Sequence, residues 1–122
     1  MSRIRIGAIV IHCREFERMA GFWKEALGYV PRAPATDGWL VLRDPRGRGP
    51  NLSLQARERT RRCRSWLHLD LYTAEQAAEV DRLIELGARP YPWRYPPGAD
   101  YVVLEDPDGN LFCVVEREPA PE

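Results

Sequence analysis

The side chains best suited to chemistry are two histidines, one of them two residues from a carboxylate. In the run Trp66-Leu67-His68-Leu69-Asp70-Leu71-Tyr72, apolar residues alternate with His68, Asp70 and Tyr72. A strand of this pattern places those three side chains on one face. An imidazole beside a carboxylate is a general base held in one tautomer, and it suits proton transfer without a metal. The other histidine, His12, closes the run Ile4 to His12, where it shares a face with Ala8 and Val10. A plainer reading stands beside this one: His12, His68 and Asp70 satisfy each other, or a buried backbone group, within a sheet seam.

Sulfur and aromatic side chains add two further possibilities. Cys13, Cys63 and Cys113 are odd in number and each about fifty residues from the next, so they form neither a disulfide framework nor a Cys-x-x-Cys metal knuckle. With no signal-peptide core after Met1, they fit reduced thiols in the cytoplasm. Cys113 lies in an apolar strand, where a cysteine often acts as a small hydrophobe. Trp39, Trp66, Tyr91, Trp93, Tyr95 and Tyr101 crowd the strands and the 88–101 segment. Such rings around a cavity with few charges would suit a flat, apolar ligand. Trp39 and Tyr101 read first as paired core or dimer-seam residues, whereas Trp93 and Tyr95 lie in a Pro-rich loop open to a rim or lid role.

Charge excludes some partners. Lys plus Arg and Asp plus Glu number 18 each, so net charge gives no steering towards nucleic acid or a membrane surface. The Arg-rich stretch 57–64 has no stacking aromatic among its five arginines and reads as a solvated linker. No apolar stretch has the length of a membrane span.

The elements that must position these residues occur twice. Trp39-Leu40-Val41-Leu42-Arg43 runs into Asp44-Pro45-Arg46-Gly47, and Tyr101-Val102-Val103-Leu104-Glu105 into Asp106-Pro107-Asp108-Gly109. Upstream of each, a helical pattern ends at Leu-Gly, at Leu27-Gly28 and at Leu86-Gly87. The chain therefore reads as two copies of one module, about 4–56 and 65–116, with a frayed tail over 117–122. Module one is expected as strand Ile4–His12, a helix opened by Glu15 with the stripe Phe16, Met19, Ala20, Trp23, Ala26 and Leu27, and strands Tyr29–Pro31, Trp39–Arg43 and Asn51–Ala56. Module two is expected as strand Trp66–Tyr72, a helix from about Ala74 to Leu86, a Pro-broken edge near Arg89–Trp93, and strands Tyr101–Glu105 and Asn110–Glu116. At 122 residues, a single domain of the α+β class follows, since each half alone would be marginal.

This order resembles the vicinal oxygen chelate superfamily, the glyoxalase, bleomycin-resistance and dioxygenase group, and within it the small glyoxalase-like domain proteins. The match is carried by Phe22-Trp23…Leu27-Gly28, His68-Leu69-Asp70-Leu71, Leu86-Gly87-Ala88 and Asp106-Pro107-Asp108-Gly109-Asn110, over roughly residues 4–116. The resemblance implies two βαβββ modules forming a half-open barrel, a cup with helices outside. It also implies a divalent metal held by four side chains, one from the first and one from the last strand of each module. Carried onto this chain, those positions are Ala8, His68, Cys113 and, with a looser register, Gln55. One of them has no donor and another is a neutral amide, so no standard metal is expected. If one binds, His68, Cys113 and Gln55 would hold it. The resemblance then leads to a small-molecule-binding protein, a binder or an atypical lyase or isomerase. Its ligand would be planar or aromatic, its unit a homodimer, its catalytic candidates His68, His12 and Asp70, and its binding candidates Gln55, Tyr72, Trp93, Tyr95 and Cys113. Two alternatives stay open: a metal-dependent lyase, isomerase or dioxygenase using His68 and Cys113, and a purely structural or interaction module.

Overall fold

Each Leu-Gly pair ends a helix, and by the same bond. At the first, Gly28 takes a left-handed conformation (φ 67°) and the Tyr29 N–H donates to the Lys24 carbonyl at 3.1 Å. At the second, the Ala88 N–H donates to the Leu83 carbonyl at 3.0 Å beyond Gly87. Both are six-to-one Schellman bonds, which satisfy a carbonyl the helix leaves unpaired.

The computed structural model describes residues 6–57 and 68–117, and the chain divides into two compact units, 1–60 and 61–122. Module one runs β1 (Ala8–Cys13), α1 (Phe16–Leu27), β2 (Val30–Pro31), β3 (Trp39–Arg43) and β4 (Asn51–Ala56). Module two runs β5 (Leu69–Thr73), α2 (Gln76–Leu86), β6 (Arg89–Pro90), β7 (Tyr101–Glu105) and β8 (Leu111–Glu116). Each is a βαβββ unit with one four-stranded mixed sheet, ordered β1-β4-β3-β2 and β5-β8-β7-β6. The first and last strands pair in parallel in both, and the other pairs are antiparallel. The class is α+β, with the repeat that the sequence announces.

Alternation assigns the faces. In module one Leu40, Leu42, Leu52 and Leu54 are buried on one side of the sheet together with Met19, Phe22, Trp23 and Ala26 of α1. The apolar stripe of α1 thus centres on Met19 and Trp23 and recruits Phe22, whose ring meets Trp23 edge-on at 5.1 Å. In module two Leu83, Leu104, Phe112 and Val114 are the matching buried set. Burying a residue such as Leu54 or Phe112 contributes about 1.5–3 kcal/mol.

The two Asp-Pro-x-Gly turns are carboxylate-centred. Asp44 accepts from the Arg46, Arg48 and Gly49 N–H groups at 2.9, 3.2 and 3.0 Å. Asp106, wholly buried, accepts from the Asp108 and Asn110 N–H groups at 3.0 and 2.9 Å and from Asn110 Nδ2 at 3.1 Å. Each turn also closes through a glycine N–H on the aspartate carbonyl at 2.9 Å, with φ of 70° at Gly47 and 88° at Gly109.

Strand and helix starts differ from the sequence expectation. Ile6 and Gly7 precede β1, although the Gly7 carbonyl already accepts from Asn51 N–H at 2.9 Å. The expected strand residues Ile4, Trp66 and Leu67 lie outside the described residues, as do Cys63 and most of the 57–64 linker. Helix α2 begins at Gln76 and not Ala74, because the Thr73 hydroxyl accepts the Glu75 N–H at 3.1 Å and holds that turn open. The first helical N–H, of Gln76, donates to Glu116 Oε1 at 2.9 Å, a cap from forty residues away. The edge expected over Arg89–Trp93 is a strand only at Arg89–Pro90, since Pro92 has no N–H to pair. Among the described residues no helix is long and apolar enough to cross a membrane.

Candidate functional site

Parallel pairing of β5 with β8 and antiparallel pairing of β8 with β7 build rows of facing residues. Asp70 lies opposite Cys113, which lies opposite Val103; Tyr72 lies opposite Val115, which lies opposite Tyr101. These rows, with His68 just before β5, form one wall of a cavity of about 390 Å³. Trp93, Asp100, Leu111, Phe112 and Arg117 complete the lining, all of it from module two. The volume lies in the range of small-molecule pockets.

At the polar end Asp70 is the hub. His68 Nε2 lies 3.2 Å from Asp70 Oδ1. Burial pushes the Cys113 thiol up from its ordinary range, and the Asp70 charge and a hydrogen bond to that carboxylate push it the same way. This is the opposite direction from that of an activated cysteine, and it makes the thiol a donor to Asp70. His68 and Asp70 form an imidazole–carboxylate pair at this end of the cavity.

The aromatic end is cross-braced. Trp93 Nε1 donates to the Tyr101 hydroxyl at 3.3 Å, and the Tyr91 and Trp93 ring centroids are 6.4 Å apart. Tyr95 stands behind this wall: its hydroxyl accepts the Val103 N–H at 2.8 Å, and its ring packs on Tyr101 at 5.5 Å. Tyr95 is thus a buttress of the cavity and not part of its lining. At the mouth Arg117 lies 4.7 Å over the Tyr72 ring, donates to its hydroxyl at 3.1 Å and pairs with Asp100 at 3.6 Å. Gln76 Nε2 fixes this corner from the helix, donating to the carbonyls of Asp100 and Val114, each at 2.9 Å.

A family model described as a glyoxalase-like domain matches residues 8–115. The chain belongs to that family. No curated protein matches it. Among solved structures, TnmS3, an antibiotic binding protein from Streptomyces sp. CB03234, is 26% identical; the alignment covers 98% of this chain and 99% of that one, with a TM-score of 0.68. The fosfomycin resistance protein FosX of Listeria monocytogenes, 14% identical over 96% of this chain and 93% of its own, shares the fold with a TM-score of 0.75. So does a glyoxalase-related enzyme from Fulvimarina pelagi, 19% identical over 91% and 86%, with a TM-score of 0.69.

The four positions at which the family resemblance implies metal ligands do not all carry a donor in this chain. Ala8 offers no donor. Strand pairing makes Ser53, opposite Val10 as Cys113 is opposite Asp70, the counterpart of Cys113. Gln55 lies one facing pair further on, where module two has Val115. In place of that set, the donor atoms of His68, Asp70 and Cys113 all lie within 4.8 Å of one another. Nitrogen, oxygen and sulfur together suit a borderline-soft ion better than a hard one.

Of the sequence-derived site residues, the structure gathers His68, Asp70, Tyr72, Trp93 and Cys113 around one cavity, with Tyr95 behind it. His12 and Gln55 are register partners in module one, and Trp39 faces Gln55 from the other side. Asp100 and Arg117 were not among the candidates. Arg117 continues the face of Leu111, Cys113 and Val115 by simple alternation, so period two alone reaches it.

Proposed function

We propose that module two holds the binding site for a small, planar organic molecule, taken up without the family's usual divalent metal. The observation that carries this reading is the cavity itself: about 390 Å³, walled by Tyr72, Trp93 and Tyr101, with a compact polar group of His68, Asp70 and Cys113 at one end. Rings supply stacking area and three polar side chains orient the ligand, which is the division of labour of small-molecule sites. The likeness to an antibiotic binding protein over nearly the full length of both chains supports sequestration. We take the protein to be cytoplasmic and its unit to be a homodimer, which sedimentation analysis would check. His12 and Gln55, register partners in module one, are not among the residues that line this cavity.

The test is tryptophan fluorescence. Planar aromatic ligands should quench it saturably, and Trp93→Ala should weaken binding by roughly two- to twelvefold, the loss of one stacking partner worth about 0.5–1.5 kcal/mol. His68→Ala should remove one polar contact and weaken binding less. Saturable quenching that is identical in the Trp93→Ala protein would place the ligand elsewhere.

A second reading is favoured by one observation, the clustering of His68, Asp70 and Cys113. In it a zinc-like ion is held by these three and the protein is a metal-dependent lyase, isomerase or dioxygenase. Retention of the ion by the purified protein separates the two readings.

A further inference from the structure

Resting on the planar-ligand reading above, we propose that the ligand of this cavity is a planar cation, an aromatic compound bearing a quaternary or protonated ring nitrogen. The reasoning concerns which charges in the cavity are already matched. Two lining carboxylates, Asp70 and Asp100, accompany one guanidinium, Arg117. Arg117 and Asp100 pair at the mouth at 3.6 Å, and Arg117 is further engaged with the ring and hydroxyl of Tyr72. That guanidinium is committed within the module and is poorly placed to recognise an anion.

Asp70 is in a different position. Its neighbours are the imidazole of His68 and the thiol of Cys113. The imidazole Nε2 lies 3.2 Å from Asp70 Oδ1 and the thiol sulfur lies within 4.8 Å of both groups, and neither is the permanent cation that Arg117 supplies to Asp100. Half of the Asp70 side chain remains accessible, 47% by surface. One negative charge therefore stands at the polar end of a cavity walled by Trp93 and Tyr101. Ring faces attract cations, tryptophan most of all. A flat cation gains stacking, cation–π attraction and the carboxylate together. A neutral isostere gains stacking alone while stripping water from Asp70, which costs free energy. An anion is repelled.

N-methylacridinium, a permanent planar cation, and acridine, its neutral isostere, provide the comparison at about pH 8, above the ordinary imidazole and acridine ranges. Acridine-9-carboxylate is the anionic arm. Fluorescence titration of the wild-type protein should show the acridinium binding at least about tenfold more tightly than acridine, with the preference shrinking as salt is raised. Asp70→Asn should bring the two within about twofold, while Asp70→Glu keeps most of the preference; circular dichroism confirms that both variants fold. If acridine binds as tightly as acridinium, or the carboxylate binds best, this proposal falls and the planar-ligand reading stands. If acridinium keeps its preference in Asp70→Asn, the carboxylate is not its cause and the proposal falls as well. Should none of the three probes bind, both readings fail together.

Discussion

At the level of single residues, two carboxylates do opposite work. Asp70 holds a proton on its neighbour: its charge helps to raise the Cys113 thiol, after burial. Replacing it by asparagine should let Cys113 react faster with iodoacetamide at neutral pH, by several-fold, because less of the thiol stays protonated. Mass spectrometry assigns the adduct, and fully buried Cys13 serves as an internal control that stays unmodified. Unchanged or slower labelling of Cys113 would break the proposed link. Asp44, in contrast, is pulled below the ordinary carboxylate range, first by the Arg46 N–H and then by the Gly49 N–H, against some desolvation. A carboxyl lowered in the folded state stabilises the fold above its unfolded pKa and loses that contribution as pH falls through the folded value. Asp44→Asn should therefore be less stable than wild type at neutral pH, and the two urea-melt curves should converge in acid. A gap that does not change with pH would exclude titration as its source. The sequence made the cluster partly legible. Alternation in one strand gave His68, Asp70 and Tyr72, while Cys113 came through the family resemblance. That Asp70 sits between the histidine and the thiol depends on the parallel register of β5 with β8, which no local pattern encodes.

At the level of elements, glycines at helix and turn ends set the path, and their costs can be ranked. Gly28 caps α1 at φ 67° with open space where a Cβ would project. Gly28→Ala should then cost only the left-handed backbone penalty, about 1–2 kcal/mol. Gly38, in the turn before β3, has φ 72° and its Cβ would stand 2.8 Å from the Ala56 Cβ. Gly38→Ala adds a steric clash against a strand end to the same backbone penalty, so its loss of stability should exceed that of Gly28→Ala. Thermal melts of both variants check the order, and a Gly38→Ala protein no less stable than Gly28→Ala would refute it. These signals explain why element placement was readable. Trp39–Arg43, Asn51–Ala56 and Tyr101–Glu105 stand where the turn residues predict, since Asp-Pro-x-Gly fixes a strand end locally. The start of α2 was not readable, because Thr73 and the distant Glu116 decide it. Nor was the register of β4: the longer turn between Asp44 and Asn51 shifts the count, and Gln55 took the place that pairing gives to Ser53.

At the level of the whole molecule, one chain path is used twice with different side chains on it. The row Tyr72–Val115–Tyr101 of module two corresponds to His12–Gln55–Trp39 of module one, and Asp70–Cys113–Val103 corresponds to Val10–Ser53–Val41. Typical members of the family draw metal ligands from both modules. At the corresponding positions module one has a methyl group at Ala8 and a hydroxyl at Ser53, where module two has His68 and Cys113. Three mixed donors, two of them linked as hydrogen-bond donor and acceptor, make a poor site for manganese, iron or nickel, which favour oxygen and imidazole. A metal there must also displace the Cys113 proton, which Asp70 helps to hold in place, so binding would release a proton and weaken as pH falls. Purified protein should accordingly carry well below one equivalent of any divalent metal after dialysis, by elemental analysis. Stoichiometric zinc that disappears in both His68→Ala and Cys113→Ser would overturn this and establish the metal-dependent reading. Stoichiometric manganese, iron or nickel would go further and show that residues outside this cluster complete a family-type site.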